Sequence, residues 1–432
     1  MDGKQTKPEF LRLIFTSILG ATHSIELAYD RKEEVFEDGV FFDGSSVRGY
    51  ADVNSSDMLL HPIYNNPVLA TWDPLMEIVP CSVHHVSGSP HMSDPVNILR
   101  HVSDKALEKG YVMMAGFELE FFLLGLKDAM VQPADKAGYF ATTPADRGLQ
   151  FRRDVMMSLS GMGIGTTTHH HEVANGQHEI GLKHGPASDT ATSLMLAKHV
   201  IAELATRKGL TATFMAKPFV SMNGSGMHIH QSMWTDDLSS NLFATDKASE
   251  VSEIAGHYVA GILEHARALS AIVAPTVNSF KRLVPGFEAP TRIAWGPRNR
   301  TTMMRIPHFN GSARSARVEF RCPDPSCSPH LALAAILAAG MDGITNKMDP
   351  PEPTEKDLFH GVTDVETLPV SLTDALDALH SNSLLLDSLG SRVIETYLTL
   401  KKAEWSRYID STDDPGPFEV TDWEIEEYLH CN

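Results

Sequence analysis

The chain has 432 residues, 42% hydrophobic and 21% charged, an ordinary balance for a globular enzyme and enough length for a large core in two domains. Asp and Glu outnumber Lys and Arg 55 to 36, and the net charge of −19 sets up a field that repels polyanions, which argues against a nucleic-acid partner. No apolar run approaches the ~20 residues of a membrane span and MDGKQTKPEF has no signal-peptide core, so a soluble, cytoplasmic protein with no membrane partner is expected.

From the N-terminus, the short runs FLRLIF, SIELAYD and VFF are separated by turn residues, and FFDGSSVRGY places a Gly/Ser loop directly after a strand. This reads as a small β-rich domain. The Pro/His/Gly-rich passage CSVHHVSGSPHMSDP then precedes Val96-Asn97-Ile98-Leu99 and a charged helix, RHVSDKALEKG, so a boundary falls near residue 95, dividing the chain into 1–95 and 96–432. Beyond it, helices such as SDTATSLMLAKHVIAELATRKG and SEIAGHYVAGILEHARALSAIVA alternate with strand runs, an α+β pattern. PPEPTEKD reads as a surface loop and VTDWEIEEYL as a closing helix. Cys81, Cys322, Cys327 and Cys431 form no CxxC pair and are too few for a disulfide scaffold; they are expected to be reduced and structural.

The strand GFELEFFLL carries Glu118 and Glu120, which by strand alternation share one face while Phe117, Leu119 and Phe121 take the other. HHHEVANGQHEI sets Glu172 and Glu179 on either side of an Asn175-Gly176 turn that folds the chain back on itself. NGSGMHIHQS puts His228 and His230 on one strand face after a glycine-rich bend, and ARVEFRCPDP alternates Arg317, Glu319 and Arg321. The Pro/Gly-punctuated segment NSFKRLVPGFEAPTRIAWGPRNRTTMMRIP adds Lys281, Arg282, Glu288, Arg292, Arg298, Arg300 and Arg305. Taken singly, each has a plain explanation: a solvated strand face, hydrogen-bonded structural histidines, a surface salt-bridge lattice. Together, polar residues at period two on otherwise apolar strands point to a charged cavity lined by one sheet face.

Several carboxylates are not buried without compensation, and a divalent cation is the usual form it takes. Glutamate oxygens with one or two imidazoles and no cysteine suit Mg²⁺ or Mn²⁺ better than zinc. Arginines facing such ions imply a polyphosphate or a phosphorylated intermediate. Neither a GxxxxGK[ST] loop nor the kinase motif set is present, which leaves metal-assisted phosphoryl transfer on another scaffold.

FFDGSS, GFELEFF, HHHEVANGQHE, KPFVSMNGSGMHIHQS, NSFKRLVPGFEAP, RNR and RVEFRCPDP, in this order, resemble the glutamine synthetase family, specifically its bacterial and archaeal type I enzymes. The resemblance implies an N-terminal β-grasp-like domain and a catalytic domain whose antiparallel sheet forms a funnel-shaped site between subunits. It also implies a homo-oligomeric hexameric ring, with two stacked rings as the usual assembly. Position by position it implies Glu120, Glu172 and Glu179 as ligands of one metal, and Glu118, His228 and Glu319 as ligands of another, two or more ions per site. Asn223, Gly224, Arg282 and Arg321 would hold glutamate, Arg300 would meet the transferring phosphate, and Ser232, Arg305 and Arg317 would contact ATP. Asp43, with Ser46 nearby, would deprotonate ammonium from a neighbouring subunit, Tyr139 and Glu172 would complete the cationic pocket, and Glu288 would lie on a mobile flap.

The implied reaction is ATP-dependent ligation of ammonia to the γ-carboxylate of glutamate through γ-glutamyl phosphate. Four positions depart from the family pattern. The chain starts almost at its first strand, which weakens the expectation of ring stacking relative to that of a ring. Thr167 stands where a glutamate is usual, and Arg48 and Asp52 change the charge of the loop after Ser46. Phe359 falls near the place of a tyrosine that some relatives adenylylate, so no adenylylation is expected there. Two other readings follow from the same residues: a γ-glutamyl amide ligase taking an organic amine, and a non-catalytic sensor.

Overall fold

The computed structural model describes every residue except 1–6, 128–129, 246, 248–249, 310–311, 360–363, 413–415, 417 and 431–432. A first sheet is built from β1 (Phe10–Thr16), β2 (Thr22–Ala28), β3 (Val40–Asp43), β4 (Asp57–Pro62), β5 (Val68–Leu69) and β6 (Met76–His85), in the order β2-β1-β6-β4-β3 with β5 on β6. β1 and β6 run parallel and the other pairs antiparallel. Alternation along β1 sends Leu11, Leu13 and Phe15 into this domain's own core, with Val79, Cys81 and Val83 of β6. Ile14 and Ile78 face the opposite way and join the core of the larger body, so both faces of the sheet's centre are covered.

The chain departs here from its sequence reading in two places. Residues Lys32–Asp38 form a helix between β2 and β3, and Cys81–His85, read as part of a loop, is the end of β6. Its alternating Val79, Cys81 and Val83 are buried between β1 and β4, so pairing on both sides overrides the local loop composition.

Ten further strands make the second sheet: β7 (Tyr111–Lys127), β8 (Met130–Pro133), β9 (Thr166–His171), β10 (Gln177–Leu182), β11 (Gly185–Pro186), β12 (Thr211–Thr213), β13 (Met227–Thr235), β14 (Trp295–Pro297), β15 (Met304–Ile306) and β16 (Val318–Phe320). Their order is β14-β15-β16-β13-β7-β10-β9, antiparallel except for β14 on β15. β7 is the axis. Phe117, Leu119, Phe121 and Leu123 enter the main core, which is closed by Pro95–Leu107, Ala187–Arg207 and the largely apolar Pro329–Asn346 helix. On the other face Phe122 and Leu124 meet Ala174 and Leu429, capping one end of the stretch where Glu118 and Glu120 stand. The segment SEIAGHYVAGILEHARALSAIVA, read as one helix, is two, Glu253–Glu264 and Ala266–Val273, broken at His265. Cys81, Cys322 and Cys327 are buried and unpaired; Cys431 lies outside the described residues.

Candidate active site

Strand register assembles the polar row. Glu118 on β7 stands opposite His228 on β13, Glu120 opposite Glu179 on β10, Glu179 opposite His170 on β9, and His230 opposite Glu319 on β16, which pairs with Arg305 on β15. Residues scattered over some 200 positions of sequence therefore share one sheet face because each sits at an even step of its own strand. The Asn175-Gly176 turn does what the sequence predicts. Gly176 takes a φ of +65°, Glu172 N donates to Gln177 O at 2.8 Å, and the two carboxylates flanking the turn converge.

Two clusters result, each with ligand atoms within 4.8 Å of one another. In the first, Glu118 lies 3.1 Å from His228 Nδ1 and 2.9 Å from His230 Nε2, and Glu319 bonds Arg305 and, at 2.7 Å, Arg321. Burial would raise both carboxyls. The histidine hydrogen bonds outweigh it at Glu118 and hold that group well below the usual range. Arg321, the two histidines and Arg305 outweigh it at Glu319, held at about 2. In the second cluster His170 Nε2 is 3.1 Å from Glu179 and His170 Nδ1 is 3.4 Å from Glu172. Glu120 stands beside it, accepting from Gln177 Nε2 at 3.0 Å and Gly226 N at 2.9 Å. Here burial and like charge act together: Glu120 is pushed up to about 8 by burial and Glu179, and Glu172 to about 8 by burial, Glu120 and Glu179.

Both clusters open into one cavity of about 650 Å³. Glu118, Glu120, Glu179 and His228 line it from the sheet, Arg282 from the end of the short Ser279–Arg282 helix, and Tyr139, Glu172, Asn223, Gly224, Glu288, Arg300 and Arg321 from the surrounding loops and strand ends. Arg282 is buried and fixed by the carbonyls of Arg321, Cys322 and Pro323. A Cβ at Gly224 would fall 2.3 Å from Ala216 O and one at Gly226 2.6 Å from the Arg282 guanidinium, so the glycines of NGSG let that side chain pass. Glu288 accepts from Asn223 Nδ2 at 2.8 Å. Glu288 and Phe140, both lining the cavity, are non-glycine residues in the left-handed region, at φ +56° and +54°; backbone strain of this kind collects at functional sites.

Ser232, Arg305 and Arg317 lie outside the cavity lining, at the β13, β15 and β16 end of the row. Arg317 donates to His230 Nδ1 at 3.3 Å, and buried Ser232 accepts from Trp234 Nε1 at 3.0 Å. Asp43 and Ser46 are not brought to this cavity. They sit at the end of β3 in the first domain, where Asp43 is exposed and accepts from Ser45 and Ser46, bonds that hold its carboxyl below the usual range. Arg48 and Asp52 are likewise on that domain, Thr167 is exposed on β9, and Phe359 joins the cavity wall.

A profile described as "Glutamine synthetase, catalytic domain" matches residues 92–428, and one described as "Glutamine synthetase, beta-Grasp domain" matches residues 7–86. The curated glutamine synthetase of Methanococcus maripaludis is 41% identical, covering 99% of this chain and 97% of its own; that of Thermotoga maritima is 39% identical over 98% and 96%. The chain belongs to the glutamine synthetase family. A solved structure described as "Apo GmaS without ligand" is 32% identical, with a TM-score of 0.86 over 97% of this chain and 96% of its own, and a "GmaS/ADP complex" has a TM-score of 0.85 over the same shares.

Glutamine synthetases use ATP with Mg²⁺ or Mn²⁺, and the donor set here fits such ions. It is carboxylate oxygen with single imidazoles and no thiolate, it leaves His170 Nδ1 buried without a hydrogen-bond partner, and it keeps Glu120, Glu172 and Glu179 together with His170 between two of them and His228 Nε2 3.9 Å from Glu120. Three participants escaped the sequence reading. His170 is legible in HHHE, two residues before Glu172; His230 shares the strand face of His228 and approaches Glu118 more closely than His228 does, although the family resemblance does not imply it as a ligand. Gln177, which holds Glu120, had no signal beyond its place in the turn.

Proposed function

We propose that this chain ligates ammonia to the γ-carboxylate of L-glutamate, using ATP and passing through γ-glutamyl phosphate, to give glutamine, ADP and phosphate. The observation that carries the reading is the convergence in one cavity of two carboxylate–imidazole clusters with Arg282, Arg300 and Arg321, in a chain 41% identical to a curated glutamine synthetase over nearly its whole length. Glu118, His228 and Glu319 would hold one divalent cation and Glu120, Glu172 and Glu179, joined by His170, another. When bound, these ions neutralise the polyphosphate and the charge developing on the transferring phosphoryl group.

The remaining roles belong to the chain. Arg282 and Arg321, with Asn223 and Gly224, orient glutamate so that its γ-carboxylate meets the terminal phosphate, and Arg300 stabilises that phosphate as it moves. Ser232, Arg305 and Arg317 contact the nucleotide. Asp43, exposed and so ionised at neutral pH, with Ser45 and Ser46 donating to its carboxylate, takes a proton from ammonium. The amine's lone pair then bonds the acyl carbon, the C–O bond to phosphate breaks, and phosphate leaves. Glu288 covers the acyl phosphate against water, and Tyr139 and Glu172 complete the cationic pocket.

In this reading Asp43 and Ser46 come from a second copy; within one chain they lie on the first domain, outside the cavity lining. A hexameric ring, doubled in the stacked form, with a β-grasp domain ending near residue 95, supplies that geometry. Buried, unpaired Cys81, Cys322 and Cys327 suit the cytoplasm; among the described residues no helix is long and apolar enough to cross a membrane.

One observation favours a second reading, an organic amine as acceptor. Phe140, 60% exposed, stacks on Tyr139 at 4.0 Å, and both edge onto His170 beside Glu172, an aromatic wall able to hold an alkylammonium. Phosphate release with ATP, Mg²⁺ and glutamate decides between them, with ammonium set against a panel of alkyl, aryl and polyamines. The expected result is a higher kcat/KM for ammonium than for any panel member. A preference for an organic amine renames the acceptor, and no metal-dependent release with any amine overturns the ligase reading.

A further inference from the structure

Lys217 is almost wholly buried, yet among the described residues no carboxylate pairs with it. Its backbone is pinned on both sides by fully buried Asn278, whose Oδ1 accepts from Lys217 N at 2.6 Å and whose Nδ2 donates to Lys217 O at 3.0 Å and to Glu424 at 2.9 Å. The side chain is thus fixed at its base while its ammonium points at two loops. On one side it donates to Met222 O, the carbonyl immediately before Asn223. On the other it sits 3.3 Å from the centroid of the Phe287 ring, the residue immediately before Glu288. An ammonium has three donors, and here a ring face stands in for a second acceptor. Asn223 and Glu288, the neighbours of the two held residues, are themselves bonded at 2.8 Å.

We infer that Lys217 is a positioning residue that tethers the Phe287–Glu288 flap to the Met222–Asn223 loop, and so keeps water from the acyl phosphate. The inference rests on the ligase reading given above. A single buried cation joins the loop that orients glutamate to the segment that covers the intermediate, so the two move together. When the tether is cut, the flap lifts and water takes the amine's place. Its oxygen bonds the acyl carbon, the C–O bond to phosphate breaks, phosphate leaves, a proton passes to solvent and glutamate is regenerated. ATP is then hydrolysed without amide formation.

The test compares the full-length protein with Lys217→Met, Lys217→Arg and Phe287→Leu, measuring the ratio of phosphate to glutamine at saturating ammonium and hydrogen–deuterium exchange of the 286–289 amides against those of β13. The wild-type ratio is near unity; Lys217→Met and Phe287→Leu are expected to raise it by about tenfold, the scale of a desolvated cation–π contact. Exchange at 286–289 rises in both variants and β13 is unchanged, while Lys217→Arg, which keeps a cation over the ring, returns both readouts most of the way. Equal loss of phosphate and glutamine, or flap exchange identical to wild type in Phe287→Leu, overturns the tether. If the wild-type protein makes no glutamine, the ligase reading fails, and the exchange measurement still decides whether Lys217 holds the flap.

Discussion

The two carboxylate clusters on either side of β7 hold similar ligands and opposite electrostatics. Around Glu118 and Glu319 the chain supplies its own compensation, with Arg305, Arg321, His228 and His230 within hydrogen-bond or ion-pair reach, and both carboxyls are held low. Around Glu120, Glu172 and Glu179 it supplies His170 at close range and His228 only at 3.9 Å from Glu120, with Arg282 and Arg321 acting on Glu120 more weakly than its burial, and two carboxyls are pushed to about 8. One half of the site is thus built to persist without a metal, and the other is unfinished until a cation arrives. A nucleotide-dependent enzyme gains from this division: the rigid half aligns arginines for phosphate, while the strained half binds a divalent ion with the free energy released when its repulsion ends.

The sharpest way to break the comparison is to remove one carboxylate from each side. Glu319 is fully buried between two guanidinium groups, so Glu319→Ala leaves both uncompensated. A loss of about 3–5 kcal/mol in denaturant unfolding is expected, together with loss of activity. Glu172→Gln removes repulsion instead. In EDTA at pH 8.5 it should stabilise the fold by about 1–3 kcal/mol while lowering kcat/KM by about 10²-fold or more. If both substitutions destabilise alike, the two halves are not electrostatically distinct.

Much of this site was legible before any fold was known, because strand alternation is a strict rule. Period two alone places Glu118 with Glu120 and His228 with His230 on one face, and Asn175-Gly176 marks the turn that joins Glu172 to Glu179. The order of strands across the sheet was not legible. Register between β13 and β16, which delivers Glu319 to Glu118, is set by pairing over about 90 residues of intervening chain and leaves no local trace. The helix Lys32–Asp38 was missed because its seven residues bury only Val35 and so carry almost no apolar period. The break at His265 was missed because continuous apolarity on both sides masks it; the cause is tertiary, His265 being held by Asp342 at 2.9 Å.

The smallest effect concerns pH. Glu120 and Glu172 have folded-state pKa values near 8 against about 4.5 unfolded, so between those values the folded chain binds more protons than the unfolded one. The stability they contribute is therefore full below about pH 4.5 and is lost as pH rises through 8. Glu118 and Glu319 run the other way, their contribution complete above about 4.5 and lost only in acid, so they are silent in this window. Asp94, raised to about 7 by burial in the first domain's junction, titrates within it but belongs to neither cluster, so its contribution should be the same with and without metal. The difference between Tm in saturating Mg²⁺ and Tm in EDTA should accordingly widen by roughly 3–6 °C from pH 5.5 to 8, because a bound cation favours the ionised carboxylates that the bare cluster resists. In Glu172→Gln the widening should shrink by about half, since one of the two raised groups is gone. Parallel Tm curves would mean that the carboxylates beside β10 are compensated already, and that the asymmetry between the two halves of the site has no thermodynamic consequence.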